Sequence, residues 1–242
     1  MEIGVIKFGG SSLGSPQARS RVVQILKSLC TDRKVIAVVS AMGRYPAPYA
    51  TDTLMSLAEG LTARQQDQLI SVGELISTLK MHSLCRRCGI CSAPLNTRQL
   101  GIITDDHYGQ AQVLEVRTET LRQTMRQADC VIVPGFQGMT KDQEITTLGR
   151  GGSDYTAMLI AAALNLKEVH IVTDVDGIYD QDPKQDPQAQ RFDRIDYDRL
   201  LELIDQGAQV MQRQSIEYAR QHQLRVWVGS LMNPGKGTWI GA

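Results

Sequence analysis

The sequence lacks an excess of charge of either sign, because 26 basic side chains balance 26 acidic ones. Proteins that bind nucleic acid usually carry a basic excess or a basic stripe, so we expect no nucleic-acid partner. The sequence also lacks any apolar run near the roughly 20 residues that a membrane span requires, so no membrane partner is expected. The N-terminus, MEIGVIKFGG, has no basic region ahead of a long apolar stretch. No signal peptide is therefore predicted, and we expect a cytoplasmic protein.

Cysteine is scarce and odd in number, with five residues in 242, which does not suggest a disulfide scaffold. Three of them, Cys85, Cys88 and Cys91, have a spacing that can bind zinc or an iron–sulfur cluster. No nearby pair of histidines or cysteines completes such a set. We favour an ordinary structural role, in which Cys85 ends a helix, Cys88 lies by a turn at Gly89 and Cys91 starts a strand. No metal ligand is assigned from the sequence.

Strand and helix patterns alternate along the chain. Apolar runs predict buried strands at Ile3–Phe8, Val35–Val39, Val131–Val133, Val169–Val172 and Leu224–Val228. Capping residues and apolar periodicity predict helices that begin after Ser15, run from Thr62 towards Cys85, and cover Ser153–Leu164 and Ser215–Gln221. The alternation predicts an α/β fold, a three-layer αβα sandwich with a mostly parallel central sheet. Ligands in such sheets bind beyond the carboxyl ends of the strands.

A single domain over residues 1–242 is the expected organisation. A hydrophobic content of 42% in 242 residues supplies one sizeable core. The sequence shows no internal repeat, low-complexity tract or obvious linker. The polar stretch Asp180–Asp196 predicts a surface loop within the domain.

Two glycine-rich segments lie at predicted strand ends and lead into helices. In Lys7–Ser12 two glycines allow close backbone approach, free N–H groups can cradle an anion, and Lys7 adds a positive charge. A purely structural turn explains this segment equally well. In Thr147–Asp154 three glycines and Arg150 precede a helix N-terminus, which favours anions. A helix cap at Ser153 or Asp154 alone would not explain those residues, so we favour anion binding there.

Polar residues also occur at two other strand ends and inside the long helix. Asp174 and Asp176 could hold a cation, accept ribose hydroxyls or only cap a turn. Lys184, shortly after them, could meet a phosphate. Ser40 follows the second predicted strand. Glu74, in the long helix, could bind a substrate ammonium or be an ordinary solvated glutamate.

The chain resembles the amino-acid kinase superfamily and, within it, the aspartokinases. The resemblance runs from Met1 to about Ile240 and rests on these segments in order: KFGGSS, VVSAMGR, PYATDTL, SVGE, VPGFQG, TTLGRGGSD, TDVDGIY with DPK, GAQV and NPGKGTWI. It implies the amino-acid kinase fold and transfer of a phosphoryl group from ATP, with Mg²⁺, to the β-carboxylate of L-aspartate. The products would be ADP and 4-phospho-L-aspartate, the first step toward diaminopimelate, lysine, threonine and methionine.

The resemblance also implies roles for individual residues. Lys7 would stabilise the charge on the transferring phosphoryl group, and Asp154 would orient that lysine. Arg150 and Glu74 would hold the α-carboxylate and the α-ammonium of aspartate. The other substrate contacts would come from Ser40, Thr51, Phe136 and Ser153. The nucleotide would be lined by Gly9, Gly10, Ser11, Thr173, Asp174, Tyr179 and Lys184.

One position departs from the family pattern at the nucleotide site. Gln209 stands where the family has a lysine that contacts the nucleotide phosphates. Glutamine brings no charge, and losing one charge in a partly desolvated site could cost several kcal/mol. Arg213 or Lys184 could compensate. Two alternatives therefore stay open: a kinase of another small carboxylate or phosphate substrate, or a nucleotide-binding regulatory subunit with little catalysis.

Protein partners are implied by the resemblance alone. The family commonly dimerises through this domain, so a homodimer is expected. Aspartokinases normally carry a C-terminal pair of ACT domains that bind lysine or threonine, and this chain stops where they would begin. We therefore expect no feedback inhibition of the chain alone, unless a separate regulatory subunit joins it.

Overall fold

The computed structural model describes residues 2–183, 186, 188–208, 210–230 and 235–241. Lys184 and Gln209, both expected near the nucleotide phosphates, lie outside the described residues. The strands are β1 (Ile3–Phe8), β2 (Lys34–Val39), β3 (Ser92–Pro94), β4 (Ile102–Thr104), β5 (Val113–Val116), β6 (Cys130–Pro134), β7 (Gln137–Met139), β8 (Ile145–Thr147), β9 (Glu168–Thr173), β10 (Ile178–Tyr179), β11 (Arg191–Phe192), β12 (Arg194–Ile195), β13 (Arg225–Ser230) and β14 (Gly237–Ile240). The helices are α1 (Gly10–Leu13), α2 (Pro16–Leu29), α3 (Thr51–Met55), α4 (Ala63–Arg87), α5 (Thr97–Leu100), α6 (Glu119–Gln127), α7 (Gly152–Ala163), α8 (Tyr197–Asp205) and α9 (Arg213–Gln221). Within the described ranges, no helix is both long and apolar enough to cross a membrane.

The central sheet has the strand order β12-β14-β13-β9-β1-β2-β6-β3. Every neighbouring pair from β13 to β3 is parallel, and β14 runs antiparallel to β13. Side chains alternate between its faces: on β2, Ile36 and Val38 enter one buried apolar cluster, whereas Val35, Ala37 and Val39 enter another. Helices α6 to α9 complete the first cluster, and α2 and α4 complete the second. These two helical layers confirm the predicted three-layer αβα sandwich.

Local sequence signals set the starts of two helices, as predicted. The Ser15 side chain accepts a hydrogen bond from the Ala18 N–H at 3.1 Å, and Pro16 takes the first helical position of α2. Thr62 and Gln65 form a capping box at the start of α4, with both reciprocal hydrogen bonds present. The long helix that carries Glu74 therefore has a start defined by its own sequence.

Several short elements differ from the sequence prediction. A one-turn helix, α1, follows β1 where only a glycine turn was predicted. The stretch Asp180–Asp196, predicted as a surface loop, contains β11, which pairs with β10, and β12, which extends the central sheet beside β14. A second sheet, β5-β4-β7-β8, was not predicted at all. It packs beside α4 and leads directly into the second glycine-rich segment.

The three closely spaced cysteines do not converge on one point. Cys85 is buried in the last turn of α4, Cys88 caps that helix, and Cys91 immediately precedes β3. Cys88 and Cys91 are exposed, and Gly89 turns the chain with a φ of +79°. Among the described residues, no three histidine, cysteine, aspartate or glutamate side chains are grouped to hold a metal ion. The three cysteines thus lie at the end of a helix, at a turn and next to a strand, where the structural interpretation expects them.

Candidate active site

The carboxyl ends of the central parallel strands form one edge of the sheet, and the loops leaving them are tied to neighbouring strands. The Gly9 N–H, just after β1, donates to a β9 carbonyl at 3.1 Å. The Ser40 N–H, just after β2, donates to a β1 carbonyl at 3.1 Å, and the Gly135 N–H, after β6, donates to a β2 carbonyl at 2.9 Å. Because the strand order is β9-β1-β2-β6, the β1 exit lies between the β9 exit and the β2 and β6 exits.

Lys7 and Asp154 form an ion pair at the centre of this edge. The Lys7 Nζ lies 2.6 Å from Asp154 Oδ1, and the two side chains are 11% and 15% exposed. Asp154 belongs to the first turn of α7, whose N-cap is Gly151 with a φ of 72°. Within the described residues no side chain caps α7, so the capping role considered for Ser153 or Asp154 is wrong. The Asp154 carboxylate is therefore free to pair with Lys7. Because both side chains are largely removed from water, the attraction between the two charges is strong.

Gly10 allows two strand-end loops to touch. A Cβ at Gly10 would lie 2.6 Å from the carbonyl oxygen of Gly43 and 2.7 Å from that of Ala41. The Gly43 N–H also donates to the Gly10 carbonyl at 2.9 Å. Contact between these two loops therefore requires glycine at this position, whether or not a ligand also approaches it. Ser11 follows it in α1 and is partly exposed.

Glu74 is buried in α4 beneath the β2 exit and is 2% exposed. Its Oε1 accepts a hydrogen bond from the Ala41 N–H at 3.0 Å. Its Oε2 has no hydrogen-bond partner among the described residues. Burial raises the pKa of Glu74 to about 8, partly offset by the Ala41 hydrogen bond and by the nearby Gln137 and Thr51 side chains. Neither of those two side chains makes a well-formed hydrogen bond with Oε2. The solvated alternative for Glu74 is therefore wrong.

Arg150 and Phe136 come from two loops that meet ahead of α7. Phe136 has a φ of 70°, which is unusual for a bulky residue. Its N–H donates to Thr156 Oγ1 at 3.1 Å, and its carbonyl accepts from the Leu148 N–H at 2.8 Å. Arg150 is exposed, lines a cavity of about 350 Å³, and makes no ion pair with any described residue. Its guanidinium is therefore available to an anion. Ser153 is buried beside the loop after β6.

The β9 exit carries the residues expected at the nucleotide. The Thr173 hydroxyl donates to Asp174 Oδ1 at 3.1 Å. Asp174 Oδ2 pairs with Arg44 at 2.9 Å, and this ion pair links the loop after β2 to the loop after β9. The Tyr179 hydroxyl donates to Asp176 Oδ1 at 2.7 Å, and this hydrogen bond raises the pKa of Tyr179.

Residues 2–230 match the amino acid kinase family. The chain belongs to that family. This kinase chain is 36% identical to aspartokinase 1 of Bacillus subtilis over 245 residues, which cover 99% of the chain and 61% of that relative. It superposes on E. coli aspartokinase III, solved with aspartate and ADP, with a TM-score of 0.81 at 28% identity, covering 99% of this chain and 64% of that one. For aspartate kinase from Synechocystis the TM-score is 0.83 at 32% identity, with coverage of 98% and 39%. The chain spans about 60% of the length of the curated relatives it matches.

Sequence reasoning missed two side chains of this amino acid kinase. Asp67 on α4 is 1% exposed and binds the start of the glycine-rich segment through Thr147. Its signal was the seven-residue spacing to Glu74, which puts both carboxylates on one face of the helix. Arg44 ends the VVSAMGR segment, and only the structure reveals its partner Asp174.

Arg213 was one candidate to replace the charge that the kinase lacks at Gln209. The structure pairs its guanidinium with Asp205 and, at 2.8 Å, with Glu217. Two carboxylates already neutralise this arginine. Arg213 also lines the cavity beside Arg150, so compensation by Arg213 stays a prediction.

Proposed function

We propose that this chain transfers the γ-phosphoryl group of ATP to the β-carboxylate of L-aspartate, giving ADP and 4-phospho-L-aspartate. The observation that carries the proposal is the Lys7–Asp154 ion pair at 2.6 Å. It lies where the chain leaves β1, between the loop after β9 and the loop after β2. Thr173 and Asp174 lie on the β9 side, and the buried carboxylate of Glu74 lies below the β2 exit. Arg150, which makes no ion pair with any described residue, lies in the glycine-rich loop ahead of α7. A nucleotide on one side and an amino acid on the other would meet at the lysine.

Glu74 and Arg150 have the two chemistries that an α-amino acid requires. The buried Oε2 of Glu74, which lacks a partner among the described residues, would accept hydrogen bonds from an α-ammonium. The exposed guanidinium of Arg150 would bind an α-carboxylate with two parallel hydrogen bonds. Ser40, Thr51, Phe136 and Ser153 would complete the substrate contacts. E. coli aspartokinase III, which has the same fold, was solved with aspartate and ADP, which supports these two ligand classes.

The chemistry requires alignment and charge neutralisation more than proton transfer. A β-carboxylate is already a nucleophile, so no general base has to activate it. Phosphoryl transfer then depends on an in-line approach and on balancing the charge spread over the phosphoryl oxygens. Lys7 would supply that positive charge, and Asp154 would hold its ammonium in place. Gly9, Gly10 and Ser11 would surround the phosphates, while Thr173, Asp174, Tyr179 and Lys184 would line the rest of the nucleotide.

Magnesium fits this site as part of the nucleotide. Mg²⁺ prefers oxygen ligands and usually binds through one or two carboxylates plus substrate phosphates and water. The described residues contain no cluster of three ligating side chains, so the phosphates would provide most of the ligands and Asp154 or Asp174 the nearest protein carboxylates. The ion would neutralise phosphate charge beside Lys7.

Other expectations stay predictions beside this proposal. A homodimer is supported by an exposed apolar stripe on α4, formed by Val72, Leu75 and Leu79, which are 41%, 36% and 52% exposed. The cytoplasmic location and the separate regulatory subunit rest on the sequence and the family resemblance alone.

The proposal is tested by the variant Lys7→Met, assayed with ATP, Mg²⁺ and L-aspartate for ADP release and for aspartyl hydroxamate after hydroxylamine trapping. The wild-type chain should form hydroxamate, and Lys7→Met should lose about a hundredfold or more in kcat, as when one transition-state hydrogen-bond donor is removed. Lys27→Met, which removes an exposed lysine on α2, is the matched control and should keep full activity.

A loss of folding must be separated from a loss of catalysis. Lys7→Met leaves Asp154 buried without its cation, which is strongly destabilising. The double variant Lys7→Met/Asp154→Asn removes both charges and should regain stability without regaining activity. ADP release with another small acid, but not with aspartate, would show that the chain phosphorylates that acid instead of aspartate. Nucleotide binding without turnover of any acid would favour the non-catalytic alternative.

A further inference from the structure

The carboxylate of Asp67 joins three parts of the chain near the candidate active site. Asp67 lies in the second turn of α4 and is 1% exposed. Its Oδ2 accepts hydrogen bonds from the N–H groups of Gly109 at 2.9 Å and Thr147 at 2.8 Å. Its Oδ1 accepts a third from the Thr147 hydroxyl at 2.8 Å. A single side chain thus holds the loop after β4 and the end of β8 against the helix.

The segment held by Asp67 leads directly to Arg150. Thr147 is the last residue of β8, and the chain then enters Gly149 and Gly151, both with positive φ. The Thr147 carbonyl also accepts a hydrogen bond from the Ala111 N–H at 2.9 Å. The loop that contains Gly109 is therefore bound both to Asp67 and to Thr147 itself. Because two glycines weaken local conformational control, the position of Arg150 depends on how firmly Thr147 is held.

The same helix carries Glu74, seven residues further on. Seven residues are close to two helical turns and span roughly 10 Å, so Asp67 and Glu74 lie on one face of α4. Between them, the Ser71 carbonyl accepts from Gln137 Nε2 at 2.6 Å, which ties β7 to the same face. The rigid helix therefore fixes the distance between Glu74 and the start of the Arg150 segment.

We propose that Asp67 is a positioning residue that sets the separation of Glu74 and Arg150, and so the selectivity for an α-amino acid. The role in substrate selectivity rests on the proposed function. The three hydrogen bonds by which Asp67 holds Thr147 and Gly109, here called the Asp67 clamp, do not depend on it. Asp67 touches neither ligand, and it acts only through Thr147 and Gly109. Burial of its carboxylate, opposed by these three hydrogen bonds, still leaves its pKa raised.

Two substitutions at Asp67 separate positioning from bulk packing. In Asp67→Asn the amide oxygen can accept both N–H groups, and the amide nitrogen can donate to the Thr147 hydroxyl, so all three contacts can form. Asp67→Leu has a similar size but no acceptor, and it leaves the buried Thr147 N–H and the Gly109 N–H without their partner. Thr147→Val removes only the hydroxyl contact and serves as a milder variant should Asp67→Leu fail to fold. Gln68→Leu, at an exposed neighbouring position on α4, is the control.

Steady-state kinetics with aspartate and ATP varied separately give the first readout. We expect Asp67→Leu to raise the KM for aspartate at least tenfold with the KM for ATP changed less than twofold, and Thr147→Val to raise the aspartate KM by a smaller factor. Asp67→Asn and Gln68→Leu should match the wild type. Equal increases in both KM values, or no rescue by asparagine, would overturn the positioning role and leave Asp67 as a packing residue.

Hydrogen exchange gives a readout that needs no turnover. In Asp67→Leu the amides of residues 147–152 should exchange at least tenfold faster than in the wild type, while those of β9 stay unchanged. Unchanged exchange over residues 147–152 would show that Asp67 does not hold this segment in place. A wild-type chain that does not turn over aspartate, but shows this faster exchange in the variant, would refute the proposed substrate and retain the clamp.

Discussion

The buried carboxyl group of Glu74 gives the sharpest test of the substrate pocket, because its ionisation is coupled to stability. Its pKa is raised from 4.5 to about 8 because burial disfavours the charged form. At about 1.4 kcal/mol for each pH unit, this difference corresponds to about 5 kcal/mol of stability. The folded state holds the proton more tightly than the unfolded state. The stabilisation is therefore complete below pH 4.5 and is lost as the pH rises towards 8.

The substitution Glu74→Gln removes this dependence. Glutamine resembles the protonated acid, and its amide oxygen can still accept the Ala41 N–H. The variant and the wild type should have similar free energies of unfolding at pH 5. By pH 9 the variant should be more stable by up to about 5 kcal/mol. Denaturant unfolding of both proteins from pH 5 to 9 measures the difference, in which all other titrating groups cancel.

Ligand addition connects this stability difference to substrate recognition. An α-ammonium at Glu74 favours the ionised carboxylate, so L-aspartate should stabilise the wild type more strongly at pH 8.5 than at pH 6.5. Glu74→Gln should show little stabilisation at either pH. Glu59→Gln, at an exposed position, is the control for removing a negative charge. A stability difference between Glu74→Gln and the wild type that stays constant from pH 5 to 9 would refute the reasoning.

Two further predictions follow from packing and from the exposed face of α4. Gly10→Ala should lower stability by about 1–3 kcal/mol and reduce activity, because the new methyl group would strike backbone oxygens at 2.6 and 2.7 Å. Gly4→Ala meets only the flexible Arg33 side chain at 3.3 Å and should change stability little; equal losses in denaturant titrations of the two variants would contradict this account. Leu79→Glu should convert the predicted homodimer to a monomer, measured by light scattering after size exclusion, and an unchanged mass with a folded protein would show that α4 is not the interface.

The central fold could be predicted from sequence because buried parallel strands are continuous apolar runs. The predicted strand Ile3–Phe8 coincides with β1 at both ends, and the predicted capping box begins α4. The second sheet could not be predicted in the same way. Its strands, such as Gln137–Met139 and Ile145–Thr147, have three or four residues and mix polar with apolar side chains. Such short segments carry no clear alternation, so only long-range pairing defines them.

The candidate site was predictable to the extent that glycine-rich segments mark strand ends. The contact between Lys7 and Asp154 joins segments far apart in the sequence, and only the fold reveals the 2.6 Å distance. The environment of Glu74 could not be predicted, because the buried face of α4 mixes polar residues with apolar ones such as Ile70 and Met81. Its buried face carries polar residues such as Asp67 and Glu74, whereas its exposed face carries Leu75 and Leu79. Apolar residues therefore lie on both faces of this helix, and apolar periodicity alone does not identify its buried face.

Identification of the reduced product tests the central claim most directly. The chain is incubated with ATP, Mg²⁺ and L-aspartate, and the mixture is treated with borohydride, which reduces an acyl phosphate to an alcohol. Phosphorylation of the β-carboxylate predicts homoserine from the wild type and from the exposed control Lys27→Met, formed about a hundredfold or more slowly by Lys7→Met. Phosphorylation of the α-carboxylate would instead give 3-amino-4-hydroxybutanoate. That product, or the absence of any reduced product from wild-type protein that binds both ligands, would contradict the account.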